Sequence, residues 1–316
     1  MDRYMTQTSS PKTLSVWLSA ARPKTLPLAL TAIITASALA WSHGAFSWSV
    51  ALLALLTATL LQILSNLAND YGDAEKGTDN EQRIGPMRAI QSGAVSLGAM
   101  RKAIIINVIL TIISGSALVT VSLESLQNVL LFLTLGGLAI AAAIAYTVGA
   151  KPYGYIGLGD MAVFVFFGLL GVLGTYFLHT GELTLITLLP AIGCGLLSVG
   201  VLNVNNMRDI ENDAVCGKRT LAVRLGLAGA KRYHYQVVLI GFACLMITNQ
   251  LLGAPLWLML LWLVALLAVR GHLLAVKRAV KPMELAPQLP QIVKCALIAN
   301  LVFVLVTILS LIVSSN

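Results

Sequence analysis

The sequence predicts an all-α integral membrane protein with nine transmembrane helices, arranged as two four-helix repeats plus one. Three observations lead there: an apolar composition, charge-free runs that recur along the chain, and an acidic motif that occurs twice at matching positions. Of the 316 residues, 58% are hydrophobic and 11% charged, and the mean hydropathy is +0.85. That is far outside the range of water-soluble domains.

A helix rises about 1.5 Å per residue, so roughly 20 apolar residues cross about 30 Å of hydrocarbon. Suitable runs fall at 25–43, 47–68, 103–123, 127–148, 160–179, 184–206, 233–250, 254–275 and 293–313. Between Arg232 and Arg270 no charge interrupts the chain, a stretch too long for one crossing. Asn249, Gln250, Gly253 and Pro255 supply a turn in its middle. Charge placement counts the spans independently. With the N-terminus inside, nine crossings put all 21 Lys and Arg on the cytoplasmic side, and the external loops carry only Glu124 and Glu182. Merging spans seven and eight would move Arg270, Lys277, Arg278, Lys281 and Lys294 outside. The repeats then occupy 25–148 and 158–276, with helix nine at 290–313.

Residues 1–24 read as a cytoplasmic segment preceding a single transmembrane domain, 25–316. The segment carries Arg3, Lys12, Arg22 and Lys24 without the apolar stretch of a cleaved signal. Ser10 and Pro11 suit a helix start, and Leu14, Trp17, Leu18 and Ala21 line one face of a short interfacial helix. A net charge of +8 belongs with membrane-flanking positions, where topology and anionic lipid or phosphate account for it. No nucleic-acid module is present. Cys194, Cys216, Cys244 and Cys295 lack the spacing of a zinc site or a disulfide framework. His43, His179, His234 and His272 are scattered.

The acids gather in two cytoplasmic loops, 69–101 and 207–232. In one, Asn66 precedes Asp70, with Asp73 and Asp79 following; in the other, Asn205 precedes Asp209, with Asp213 following. Helical periodicity puts Asn66, Asp70 and Asp73 on one face, and Asn205, Asp209 and Asp213 on another. Carboxylates at the C-terminal end of an apolar helix are costly to desolvate and face the negative end of its dipole, so they mark a water-filled mouth or a cation site. Neutral oxygen donors and nearby bases (Arg83, Arg88, Arg208, Lys218, Arg219) favour Mg²⁺ bridged to phosphate. One such loop reads as solvated surface. Two copies, with Asp70 and Asp209 139 residues apart and each ending the second helix of a four-helix set, point to one two-part site brought together by a pseudo-two-fold axis.

Longer strings carry more information: ARPKTLPLALTAII near 21–34, LLQILSNLANDYGDAEKGTD at 60–79, RIGPMRAIQSG at 83–93, YTVGAKPYGYIGLGDMAVFVFFG at 146–168 and NVNNMRDIENDAVCGKRTLAVRLG at 203–226. Together they resemble the UbiA superfamily of intramembrane prenyltransferases, and within it the 1,4-dihydroxy-2-naphthoate polyprenyltransferases (MenA type) of bacterial menaquinone biosynthesis. The resemblance implies a UbiA-type bundle in the bacterial inner membrane that transfers an all-trans polyprenyl group to 1,4-dihydroxy-2-naphthoate. Diphosphate and CO₂ are lost, giving demethylmenaquinol. It also implies Mg²⁺ held by Asp70, Asp73, Asp209 and Asp213, with Asn66 and Asn205 at the diphosphate. One departure stands out: Ala74 occupies the place equivalent to Asp213, so either Asp73 or Asp79 approaches the metal.

For the basic groups on the diphosphate, the candidates are Lys218 and Arg219, then Arg88 and Lys151, then Lys24 and Arg22. Tyr146, Tyr153 and Asp160 flank the loop between helices four and five, where aromatic rings suit the prenyl cation or the acceptor. Asp160 reads equally as a helix N-terminal charge. Rival readings are a UbiA-type transferase with another acceptor such as 4-hydroxybenzoate, a secondary transporter, and a non-catalytic scaffold. A transporter would place its polar groups near mid-membrane, and a scaffold would leave the paired acidic faces unexplained.

Overall fold

The structure, a computed structural model, describes residues 13–80 and 84–314, which are helical with no strand among them. In chain order the elements are α1 (Thr13–Ala21), α2 (Leu26–Ser42), α3 (Trp48–Glu75), α4 (Leu97–Ser122), α5 (Leu126–Ala145), α6 (Gly159–Thr180), α7 (Leu185–Arg208), α8 (Ile210–Val215), α9 (Leu221–Leu251), α10 (Leu256–Arg278) and α11 (Pro282–Ser314). Eight of the described helices are long and apolar enough to cross a bilayer, and α2, joined to α1 across a 54° bend, brings the number to nine. The expected all-helical membrane bundle is therefore what forms. Ser96 and Thr220 cap their helices by accepting the amides of Ala99 (3.2 Å) and Val223 (3.3 Å), as short hydroxyl side chains do at helix starts.

Packing is uneven. The main core joins α2, α6, α7, α9, α10 and α11 around Leu39, Tyr176, Leu197, Phe242, Trp262 and Phe303. A smaller cluster ties α1 to α3 and α4 through Ala20, Leu67 and Met100. Over their apolar windows α7 is 61% buried and α5 only 6%, so α7 is the central post and α5 an outer wall. Close approach of α6 to α7 depends on glycine: a Cβ on Gly168 would stand 2.6 Å from the Ala191 carbonyl oxygen, and one on Gly195 2.8 Å from the Phe164 ring. Across Phe164–Gly174, α6 widens into a π-helical stretch, a form that often marks functional sites.

Three sequence expectations change in detail. The predicted turn residue Asn249 lies inside the last turn of α9, fully buried, accepting from Trp262 Nε1 (3.0 Å) and donating to Thr307 Oγ1 (2.9 Å). A polar residue near a helix end thus serves interhelical hydrogen bonding, leaving Gly253 (φ 81°) to make the turn. The seventh span begins earlier than 233, because α9 runs from Leu221 through a kink at Gly226 (φ 65°, ψ 166°). The face expected for α1 is divided. Val16, Trp17 and Ala20 pack inward, whereas Leu14 and Leu18 are 71% and 54% exposed. Both stripes recur at helical spacing, and only one can meet α3. Ser10, Pro11 and Arg83 lie outside the described residues.

Candidate active site

Helices α2 to α7 enclose a cavity of about 610 Å³, within the size range of ligand pockets. Ala54 and Asp73 both line it, 19 residues apart on α3, so it runs about 28 Å along that helix. One end is charged: Arg22, Asp73, Asp79, Arg88, Asp209, Asp213 and Lys218 surround it. The rest is apolar, walled by residues such as Ile33, Leu118, Phe132, Phe166, Phe167 and Leu170. Such a space suits an amphiphile with an anionic head and a long hydrocarbon tail.

The first motif lies on one uninterrupted helix. At about 100° per residue, Asn69, Asp73 and Asn66 span a narrow arc of α3, and all three line the cavity. Asp70 falls on the far edge of that arc. It is 1% exposed, pairs with Arg22, and has Arg88 Nε 3.5 Å away, behind the lining rather than in it. Arg22 reaches it from the bend between α1 and α2, where its backbone adopts φ 53°, the one positive value for a non-glycine among the described residues. A left-handed conformation costs about 1–2 kcal/mol, so the ion pair is made at the expense of local strain. Asn66 Nδ2 donates to the Ala21 carbonyl (3.0 Å), tying the same bend to the motif.

The second motif straddles a break. α7 ends at Arg208, Asp209 has φ −96° and ψ 10°, and α8 resumes at Ile210. The hydrogen bonds Asp209 N to Asn205 O (3.2 Å) and Asp213 N to Asp209 O (2.8 Å) keep the three residues in near-helical register. Asn205, Asp209 and Asp213 all line the cavity, as do Asn206 and Asn212. Arg208 clasps Asp209 through Nε (2.8 Å) and Nη2 (2.5 Å), and also donates to Asn205 Oδ1 (3.0 Å). Burial pushes the Asp213 carboxyl up to about 7; Lys218, 3.9 Å away, opposes this, while the nearby charges of Asp209 and Asp73 add to it. The two motifs therefore meet, and Asp73 is the first-motif acid felt at Asp213.

Tyr146 and Tyr153 line the cavity next to this charged end, edge to face at 5.3 Å. Tyr146 is seated by two glycines: a Cβ on Gly154 would come within 2.9 Å of its ring, and one on Gly159 within 2.8 Å of its hydroxyl. Burial, followed by the charge of Asp160, raises the Tyr146 phenol well above its ordinary value, and burial takes Tyr153 to about 12. Both remain neutral at physiological pH.

Several candidates are not brought to the cavity lining. Lys24, Lys151 and Arg219 are exposed, and Asp160 is buried against Tyr233. No three His, Cys, Asp or Glu side chains among the described residues stand close enough to enclose one ion. Sequence reasoning missed Gln62, Asn69, Asn206 and Asn212, whose signal was available as neighbours of the motifs on the same helical arcs. It also missed Tyr155, whose hydroxyl donates to Asp73 Oδ1 (2.8 Å).

The sequence profile described as the UbiA prenyltransferase family matches residues 28–287. The chain belongs to that family. Among relatives of this UbiA-family chain, a protein of Escherichia coli named 1,4-dihydroxy-2-naphthoate octaprenyltransferase is 52% identical over 93% of the chain and 95% of the relative. One of the same name in Haemophilus influenzae is 48% identical over 92% and 94%. Two solved UbiA homologues share the fold at 16% identity. That of Archaeoglobus fulgidus, bound to DMAPP and Mg²⁺, has a TM-score of 0.63 over 93% of this chain and 98% of its own. That of Aeropyrum pernix, without ligand, also has 0.63, over 90% and 98%.

Proposed function

We infer that this UbiA-family chain transfers a polyprenyl group from an all-trans polyprenyl diphosphate to 1,4-dihydroxy-2-naphthoate, with loss of diphosphate and CO₂, giving demethylmenaquinol. The observation that carries the reading is one cavity with residues of both acidic motifs at its charged end and about 28 Å of apolar wall beyond, in a chain 52% identical to a relative named for this reaction.

The charged end takes the diphosphate head and the apolar length takes the prenyl tail. Arg22, Arg88 and Lys218 stand where negative charge builds on the departing diphosphate as the allylic C–O bond opens. Phe132, Phe166 and Leu170 keep water from the allyl cation that remains. Tyr146 and Tyr153, neutral and rigidly seated, offer ring faces to that cation and to the flat acceptor. The acceptor ring carbon attacks C1 of the prenyl chain, and departure of CO₂ restores aromaticity without a protein base.

The donor set fits a divalent cation. Asp73, Asp209 and Asp213 bring carboxylate oxygens to one end of the cavity, too widely spaced for the three to enclose one ion on their own, so that substrate phosphate and water would complete its shell, and oxygen-rich sites of this kind favour Mg²⁺. Asp73, Asp209 and Asp213 would hold it, with Asn66 and Asn205 beside them and Asp70 acting through Arg22 and Arg88. Bound Mg²⁺ supplies Lewis-acid stabilisation of the leaving diphosphate. Residues 25–316 act as one transmembrane domain preceded by a membrane-surface segment, with the charged end on the cytoplasmic face of a bacterial inner membrane, as the placement of Lys and Arg favours.

Purified protein in lipid nanodiscs tests this directly with octaprenyl diphosphate, Mg²⁺ and competing acceptors. Prenylated naphthol with release of CO₂ is the expected product. Turnover of 4-hydroxybenzoate with none of the naphthoate would contradict the assignment.

A further inference from the structure

Tyr155 lies in the 3₁₀ turn Tyr153–Ile156 between α5 and α6 and belongs to neither acidic motif, yet it contacts Asp73 of the first and Lys218, the lysine that follows the second. Its hydroxyl donates to Asp73 Oδ1 at 2.8 Å. Thr78 Oγ1 lies 2.5 Å from the same phenolic oxygen, and because the phenol has one proton, already given to Asp73, Thr78 is the donor there. Two ammonium groups stand over the ring, Lys218 Nζ at 5.2 Å and Lys76 Nζ at 5.7 Å from its centroid. Lys218 is also 3.9 Å from Asp213 Oδ1, so its charge rests between an aromatic face and a carboxylate. The turn itself is fastened to the start of α9: Arg219 N–H donates to the Tyr155 carbonyl (2.8 Å), and Arg224 Nη2 to that of Ile156 (2.6 Å).

We propose that Tyr155 is a positioning residue that latches the two acidic motifs together, fixing the Asp73 carboxylate by its hydroxyl and the Lys218 ammonium by its ring. The proposal rests on the prenyl-transfer reading and deepens it. A side chain on a third segment, held by its own backbone to α9 and by its hydroxyl to α3, sets the spacing of the charged end. Without the hydroxyl, Asp73 is free to rotate. Without the ring, Lys218 loses its seat as well.

The test uses the full chain in nanodiscs, with an unreactive prenyl thiolodiphosphate titrated calorimetrically over a range of Mg²⁺ concentrations, alongside KM for donor and acceptor. Tyr155→Phe should raise the Mg²⁺ concentration for half-maximal analogue binding about tenfold, the worth of one hydrogen bond to a charged group. Tyr155→Leu should weaken analogue binding about a hundredfold, since the cation–π contact goes too. In both, KM for the acceptor stays at its wild-type value, which general damage to the fold would not allow. A Tyr155→Phe protein with a wild-type Mg²⁺ titration, or donor and acceptor constants rising together in both variants, overturns the latch alone. Failure of the unaltered protein to bind the analogue with Mg²⁺ overturns the prenyl-transfer reading and the latch with it.

Discussion

The two acidic motifs look alike in sequence and are built differently. In the first, Asp70 is neutralised by arginines from distant segments, Arg22 at the α1–α2 bend and Arg88 in the loop before α4. In the second, Asp209 is clasped by its own neighbour, Arg208. The surroundings differ in the same sense: α7, which carries the second motif, is 61% buried over its apolar stretch, whereas α3, which carries the first, is 33% buried. The second motif is thus self-contained on a rigid post, and the first is assembled from parts that must come together.

Removing a cavity acid tests whether the motifs remain equivalent in function. Asp73→Ala and Asp209→Ala should each lower turnover by about a thousandfold, in keeping with loss of a main electrostatic group at a reacting centre, measured as prenylated product per unit of folded protein. An unequal result would show one motif carrying the chemistry alone.

The next effect separates the motifs by assembly. Asp70→Asn leaves Arg22 and Arg88 facing each other without their shared carboxylate and should cost about 3 kcal/mol of stability. Hydrogen exchange should rise at residues 19–25 and 86–92. Asp209→Asn should confine its increase to residues 205–213. Equal spread of exchange in the two variants would erase the distinction.

A smaller effect concerns pH. Asp213 is raised from the ordinary carboxylate value of about 3.9 to about 7 by burial, so the folded state holds its proton more tightly than the unfolded one. Its contribution is full below about pH 3.9 and is lost as pH rises to about 7. Thermal denaturation without divalent cation should therefore show a falling stability over that window, absent in Asp213→Asn and countered by Mg²⁺. The smallest effect is strain: Arg22→Gly should be more stable than Arg22→Ala by about 1 kcal/mol, because only glycine accepts φ 53° freely.

Much of this was legible in the sequence because hydrocarbon imposes simple rules. Span length, the turn near Gly253 and the recurrence of Asn and Asp followed from hydropathy, charge and spacing. What periodicity could not settle was which edge of an arc meets the cavity. Asp70 and Asp73 are three residues apart, and a rotation of about 60° sends one to arginine and the other to the lining. Tyr155 was hidden for another reason, since its contacts with Asp73 and Lys218 join segments distant in the chain, and its turn is held by bonds from Arg219 N–H and the Arg224 side chain that no periodicity marks. Lys24, Lys151 and Arg219 show the converse: a place expected on the cytoplasmic side of the bundle, and for Arg219 beside the second motif, did not bring their charges to the lining. The widening of α6 and the role of Asn249 are products of packing against α7 and α11, which local propensity does not encode.

Whether the two motifs act on a single diphosphate is decided most directly by a double-mutant cycle on binding of the prenyl thiolodiphosphate with Mg²⁺, using Asp73→Ala, Asp209→Ala and the pair. Groups bridged by one ligand should be strongly non-additive, the double variant losing little more affinity than either single one. Losses that simply add would mean two independent sites, and the account of a shared one would be wrong.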